Sequence, residues 1–389
     1  MTDVRSFNNV EILQDIEEDV ISSFINGIKF GEELKNHIVD FAKADDTLVH
    51  VSSFVIVDNV VYCVFSASKD TAVEDATKYT SRLQYCDLDN PDKITHIDLC
   101  SVGDTFNGET VTAVCDSAIF QKNQRTLCIW HTLKTKEYQM VYYTFDIITK
   151  ELSDRQLCTF GYGNMKKDFS ISGMESVLDS IGVEHKFSNT DICLMQKITS
   201  YKTEDDIYYY TGLGLFNFCS VIRTKDFINW EYVSKPPFFH NQFWEPICYV
   251  KNDILYYYCR QDHRSDRCGF LCTYNLKSNI WGYPVKISDC QSRADFFEYE
   301  NTLYLLHAPK DRDHLCIKRV DERNLSLTNS VQCAKIPDYF YPFVRVYNEK
   351  LYISFTKTRK HIYLSQFTLK SINADTIIEK FKKIFDINA

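Results

Sequence analysis

The sequence predicts an all-β chain arranged as a six-bladed β-propeller, and three observations carry that prediction. Four tyrosines, Tyr208, Tyr256, Tyr304 and Tyr352, stand 48 residues apart. They lie in matching phrases, DIYYYT (206 to 211), ILYYYC (254 to 259), TLYLLH (302 to 307) and KLYISF (350 to 355), each entered through a short polar turn. The composition is strand-forming, 14% aromatic with 25 Tyr and 27 Phe. Self-similarity at roughly 40 to 50 residues with four short strands per unit is the pattern of propeller blades, which cannot bury their faces singly and so range around a channel.

Residues 1 to 47 read as a helical decoration, because Ile12, Ile16, Ile21, Phe24 and Ile25 recur at helical spacing within residues 11 to 43. The propeller is expected over residues 48 to 370. Blade one opens with VHVSSFVIV, turns at Asp58-Asn59 and continues through VVYCVFSAS and SRLQYCDLD. Blade two follows with AVCDSAIF, TLCIWHTL and YQMVYYTFDI, its landmark reading Leu127-Cys128 in place of Leu-Tyr. An insertion over about residues 160 to 190 carries a helix-like stretch from Met174 to Ile181 and is placed to overhang the channel mouth as a lid. Blades three to six keep the constant period, each with a further strand such as FCSVIRTKD, GFLCTYNLK, HLCIKRVD or HIYLSQFTL. Residues 371 to 389 form an amphipathic pattern, with Ile377, Ile378, Phe381, Ile384 and Phe385 on one face, and are expected as a helix packed on the propeller.

Charge narrows the partners. With 53 acidic against 44 basic residues and a net charge of −9, a broad polyanion-binding surface is disfavoured, so nucleic acid is not expected. No run of 18 apolar residues predicts a membrane span, and the start lacks a basic region followed by an apolar one, so a cytoplasmic location is expected. The 15 cysteines sit mostly in apolar strand phrases and no CxxC pair occurs, which predicts buried thiols. Cys259, Cys268 and Cys272 fall along one hairpin, and neither a metal nor another cofactor is expected.

In a propeller the first strand of each blade lines the channel, so residues at one repeat position form a ring. Stepping by 48 from Lys197 gives Glu245, Arg293 and Tyr341, four different polar residues at one position. In the first two blades the position falls near Val51, beside His50, and near Ser117, beside Asp116. Different chemistries converging on one point suit a site better than a structural repeat, which tends to keep one residue type. Arg260 closes the apolar strand ILYYYCR and needs an anionic partner, either Glu245 or a ligand carboxylate.

Glu245 followed by Arg260 across a hairpin, with a tyrosine opening the last blade in DYFYPFVRVYNEKLYISF, resembles the six-bladed sialidases and related glycoside hydrolases. RTKDFINW (223 to 230) carries Asp226 and Trp230 at the places of that family's structural Asp-box turn, in a phrase one residue shorter. The resemblance implies Tyr341 as nucleophile, Glu245 as its base, and Arg260 as one member of a clamp for the carboxylate of an acidic sugar. A further clamp residue would be Arg293 or Arg312. His50 stands where the family has its first arginine. The acid would be Asp70 or Asp75 from the loop after blade one, SKDTAVEDATKYT. A tyrosine, with its free pKa of roughly 10, needs such a neighbouring carboxylate to act as a nucleophile. A neutral nucleophile also avoids repulsion from a charged substrate.

Three other readings fit parts of the pattern. A five-bladed furanosidase or xylosidase-like hydrolase would use Glu245, Asp295 and Asp116. A polysaccharide lyase would use His50 and Tyr341 to abstract a proton beside a uronate. A propeller without catalysis would bind a glycan or a protein through aromatic residues near the ring, Phe243, Trp244, Tyr339 and Phe340.

Overall fold

Two kinds of turn set the repeat. In the computed structural model, which describes residues 37–187, 192–194, 197–215, 218–237, 243–263, 266–288, 290, 292–332 and 339–368, the first hairpin of three blades turns on two consecutive left-handed residues. These are Asp58-Asn59 (φ 48° and 64°), Glu300-Asn301 (46° and 59°) and Asn348-Glu349 (48° and 57°). Such paired residues give the tight turn whose twist matches the flanking strands, and Asn and Asp tolerate that conformation better than most residues. The third and fourth strands are joined instead by side-chain turns. Asp146 Oδ1 accepts from the N–H groups of Ile148 and Thr149, Asp226 Oδ1 from Ile228 and Asn229, and Asn275 Oδ1 from Lys277 and Ser278. The Asp226 turn is the RTKDFINW phrase, with Trp230 buried behind it.

These turns generate six sheets, antiparallel except where Thr159–Tyr162 runs parallel to Asn229–Ser234 in the third, whose innermost strands surround a channel. The inner strands are Leu48–Val57, Ala113–Gln121, Thr199–Lys202 with Cys193–Leu194, Phe243–Lys251, Asp295–Tyr299 and Tyr339–Tyr347. Each blade packs on the next, and the sixth packs on the first. Blade two is a complete sheet of Ala113–Gln121, Thr126–Lys134, Tyr138–Asp146 and Gln156–Leu157, so the five-bladed reading is overturned.

The apolar core is divided among the six blade interfaces. Tyr256 lies in the cluster between blades four and five, Tyr304 between five and six, and Tyr352 between six and one, while Tyr208 packs on the cluster between three and four. The tyrosine ladder is therefore the packing contact of each blade with its successor. Tyr62 and Cys128 hold the same place in blades one and two.

The propeller begins earlier than residue 48. His37–Asp40, within the segment expected to be helical, is a strand that pairs with His361–Thr368 and completes blade six. The His361 Nδ1–Asp40 contact of 2.7 Å fixes its end. The rest of the expected N-terminal helix and the expected C-terminal helix lie outside the described residues. The insertion forms a hairpin, Thr159–Tyr162 with Met165–Asp168, and a helix, Ile171–Ser180, capped by Ser170. It is not a lid. Thr159–Tyr162 extends the outer edge of blade three, and Met174, Val177 and Leu178 bury themselves in the cluster that holds Trp130 and Phe160. No helix of the described residues is long and apolar enough to cross a membrane.

Candidate active site

The inner strands of four blades are interrupted at equivalent places. Pairing shifts between His50 and Ser53, between Cys115 and Ser117, between Trp244 and Ile247, and between Phe340 and Phe343. A bulge of this kind adds a residue to one strand and turns its side chain away from the regular alternation. Val51, Glu245 and Tyr341 occupy bulges with φ of 56°, 51° and 52°. A left-handed conformation costs a residue other than glycine about 1–3 kcal/mol, and such strain concentrates at functional sites. The side chains so placed converge, with Val51 packing on Tyr341.

Four charged groups form a linked cluster there, one of them over the tyrosine ring. Arg260 Nε lies 2.6 Å from Glu245 Oε2, and Arg293 Nε 3.4 Å from Glu245 Oε1. Arg293 Nη2 donates to Asp116 Oδ2 at 2.5 Å, and its guanidinium stands 4.9 Å from the centre of the Tyr341 ring. Arg293, Glu245 and Arg260 are 4%, 5% and 9% exposed, so the desolvation of each charge is offset by its partners. Two guanidiniums balance two carboxylates. Burial raises the Tyr341 pKa and the charge of Glu245 raises it further, against the opposing pull of Arg260 and Arg293.

A second group borders the tyrosine from blade one. The His50 ring meets the Tyr341 ring edge-on, with centres 4.6 Å apart. His50 Nε2 lies 3.0 Å from Glu74 Oε1, which also receives Arg359 at 2.7 Å. The hydrogen bond from His50, with the charge of Arg359 behind it, holds the Glu74 pKa down at about 2 although burial opposes this.

Several expected residues are placed differently. Asp75 caps a short turn of helix, Ala76–Lys78, and its Oδ1 is taken by the Thr77 N–H and hydroxyl. Asp70 is exposed, its N–H bonded to Ser68 Oγ. Glu74, between them, is the carboxylate of that loop that meets His50, a residue to which the resemblance does not point because it implies an aspartate. Lys197 does not join its ring neighbours. Its Nζ crosses to Asp295 Oδ2 at 3.0 Å and to the Val344 carbonyl at 2.9 Å, and Asp295 also accepts the Val344 N–H. Burial lowers the Lys197 pKa to about 8 and raises that of Asp295. That buried pair ties blades three, five and six together, which removes Lys197 from the expected ligand contacts and Asp295 from the carboxylates of the furanosidase reading. Arg312 lies half-buried in the loop after the second strand of blade five, its N–H closing a turn on Pro309, and Arg293, like Arg260, is in contact with Glu245. Trp244 is half-buried, directly across the hairpin from Arg260.

The thirteen described cysteines are buried, Cys259, Cys268 and Cys272 among them. Among the described residues no group of three or more His, Cys, Asp or Glu side chains is arranged to hold a metal ion.

A six-bladed propeller with these blade turns and this channel mouth has sialidase-like architecture. No protein-family model matches the sequence, and no curated protein is significantly similar to it. Solved structures are similar in fold. A mutant of Trypanosoma rangeli sialidase displaying trans-sialidase activity superposes with a TM-score of 0.54 at 13% identity, over 90% of this chain and 60% of that one. The Hadza microbial sialidase gives 0.59 at 10% identity over 84% and 67%, and a Streptococcus pneumoniae sialidase 0.52 at 10% over 85% and 70%. The chain therefore spans about three-fifths of the length of the trypanosomal enzyme, and at these identities the likeness establishes the fold.

Proposed function

We propose that this protein is a glycoside hydrolase acting on a carboxylated sugar at the mouth of the channel. The observation that carries the reading is the convergence of Tyr341, Glu245, Arg260 and Arg293, contributed by three different blades, on one buried point. Guanidiniums recognise a carboxylate by paired hydrogen bonds, and a buried pair does so with little competition from water. A ligand carboxylate at the mouth would compete with Glu245 for Arg260 and Arg293. Glu245 would then be released to take the phenolic proton, coupling the arrival of an acidic sugar to the activation of Tyr341 as nucleophile.

The similar structures that are titled sialidases support an acidic sugar as the ligand class. A binding role without catalysis draws support from the raised pKa of Tyr341 and from the hold of both arginines on Glu245. Aryl glycosides of sialic acid and of uronic acids, with neutral aryl glycosides as controls, separate the two readings. The hydrolase reading expects turnover of an acidic glycoside that falls roughly 10⁴-fold or more in Tyr341→Phe, while binding of the free acidic sugar is retained. Equal turnover by the Phe variant would remove Tyr341 from the chemistry, and binding without turnover by the unaltered protein would favour the binding role.

A further inference from the structure

We infer that His50 is the proton-transfer residue of this reaction and that Glu74 positions it, an assignment that rests on the glycosidase reading above. Its basis is geometric. His50 lies at a bulge on the inner strand of blade one, 6% exposed, edge-on to Tyr341 at 4.6 Å. One ring nitrogen, Nε2, is held by Glu74 at 3.0 Å, and the other, Nδ1, is buried with no hydrogen-bond partner among the described residues. Buried polar atoms are nearly always satisfied, so an orphaned one calls for a reason such as a transient partner. An imidazole oriented through one nitrogen by a carboxylate, with the other nitrogen unsatisfied on a ring packed against a tyrosine, is suited to proton transfer.

The carboxylate itself is poorly suited to give up a proton. Glu74 receives both His50 and Arg359, which keeps it ionised across the neutral range, and 45% of its side chain is exposed. A carboxylate held in that state stabilises an imidazolium beside it. The charged and titratable groups facing this imidazole are Glu74 from the loop of blade one, with Arg359 of the last hairpin behind it, and Tyr341 of blade six, with Arg293 and Glu245 behind that.

The protons balance as follows. Tyr341 Oη bonds to the anomeric carbon as the bond from that carbon to the leaving oxygen breaks. The phenolic proton passes to Glu245, and the imidazolium Nδ1 proton passes to the leaving oxygen. Water then displaces the tyrosine. His50 takes one of its protons, and Glu245 returns the proton it held to the phenolate. One water is consumed, and every side chain ends as it began.

The test compares two acidic glycosides of one sugar, one with a nitrophenolate leaving group and one with an alkyl alcohol, across pH in the unaltered protein, His50→Asn and Glu74→Gln. Loss of a proton donor should lower kcat/KM for the alkyl glycoside by roughly 10²–10⁴-fold and leave the nitrophenyl glycoside within about tenfold, because a good leaving group needs little protonation. Glu74→Gln keeps the imidazole but removes the carboxylate that holds its Nε2, so kcat/KM for the alkyl glycoside should fall by about tenfold or more while the nitrophenyl glycoside changes less. Equal losses on both glycosides in His50→Asn and in Glu74→Gln would reduce the pair to a structural role. Leaving-group dependence in Glu74→Gln but not in His50→Asn would make the carboxylate the donor. Turnover of neither glycoside by the unaltered protein would overturn both this assignment and the hydrolase reading, whereas the first two outcomes leave the hydrolase reading intact.

Discussion

Burial and the charge of Glu245 keep the Tyr341 phenol protonated at neutral pH, while Arg260 and Arg293 pull the other way. The carboxylate that opposes ionisation is also the proposed acceptor of the proton, and which role it plays depends on what the two guanidiniums are bound to. Glu74 gives the site a second pH-sensitive element. Its folded pKa of about 2 lies below the ordinary carboxylate value, so as pH falls the unfolded chain takes up the proton first. The stabilisation it supplies is complete above about 4.5 and is lost as pH falls towards 2. For a side chain 45% exposed this amounts to no more than about 1–2 kcal/mol after solvent screening. Melting temperature followed between pH 6 and 2 should therefore fall less steeply in Glu74→Gln than in the unaltered protein, and parallel curves would show that the His50 and Arg359 contacts contribute nothing to folding. Residue identities at the mouth were legible from the repeat, but directions were not. The period of 48 locates Lys197 and Tyr341 equally well, yet one is drawn into a buried pair with Asp295 and the other is turned towards Arg293.

Bulges are what convert a strand position into a site position, and the sequence hides them because Val51, Glu245 and Tyr341 are not the glycines that usually mark a left-handed residue. The support for one bulge is visible once the blades are assembled. Pro246 follows Glu245 and lies against the second strand of blade three, where a Cβ on Gly214 would come within 2.8 Å of Pro246 Cδ and one on Gly212 within 2.5 Å of its carbonyl oxygen. Two glycines at alternate positions of a strand, in the phrase TGLGL, therefore make room for the proline that fixes the glutamate. Gly214→Ala should cost about 1–3 kcal/mol through overpacking. With Glu245 in the proposed role it should also lower kcat/KM by about 10-fold to 100-fold, because displacement of a reacting group by about 1 Å has effects of that size. Thermal melting and kinetics on an acidic aryl glycoside check the two parts separately. A lowered melting temperature with unchanged kinetics would mean that Glu245 is not positioned through Pro246. The turns at this scale were readable, since Asp58-Asn59 and Asn348-Glu349 are strong hairpin signals, whereas the loop carboxylate Glu74 was missed beside two aspartates that serve as local turn and cap residues.

At the scale of the whole ring, the tyrosine ladder made blades three to six plain because each blade meets the next through the same packing position, and the first two blades were legible by extension through Tyr62 and Cys128. The closing contact was not. Helical spacing upstream extends into His37–Asp40, but a strand there satisfies the exposed edge of His361–Thr368, and sheet pairing outweighs a weak local preference. Closure makes stability a property of the ring, since blade six is completed by the segment that leads into blade one. Val39 is 2% exposed in the cluster that joins blades six and one, together with Phe41, Phe54, Phe343 and Leu364. Val39→Asp places an unpaired carboxylate in that cluster and should destabilise the protein by about 3 kcal/mol or more. Ile148→Asp, at a site 70% exposed, provides the comparison for adding the same charge at the surface and should change stability by no more than about 0.5 kcal/mol. The denaturant midpoint measures both. Hydrogen exchange should further show faster opening in Leu48–Val57 and Tyr339–Tyr347 together, because the lost strand belongs to the interface those two inner strands share. If Val39→Asp matched the surface variant, or if opening stayed confined to blade six, the N-terminal strand would be an ornament on the edge of the propeller and not the element that closes it.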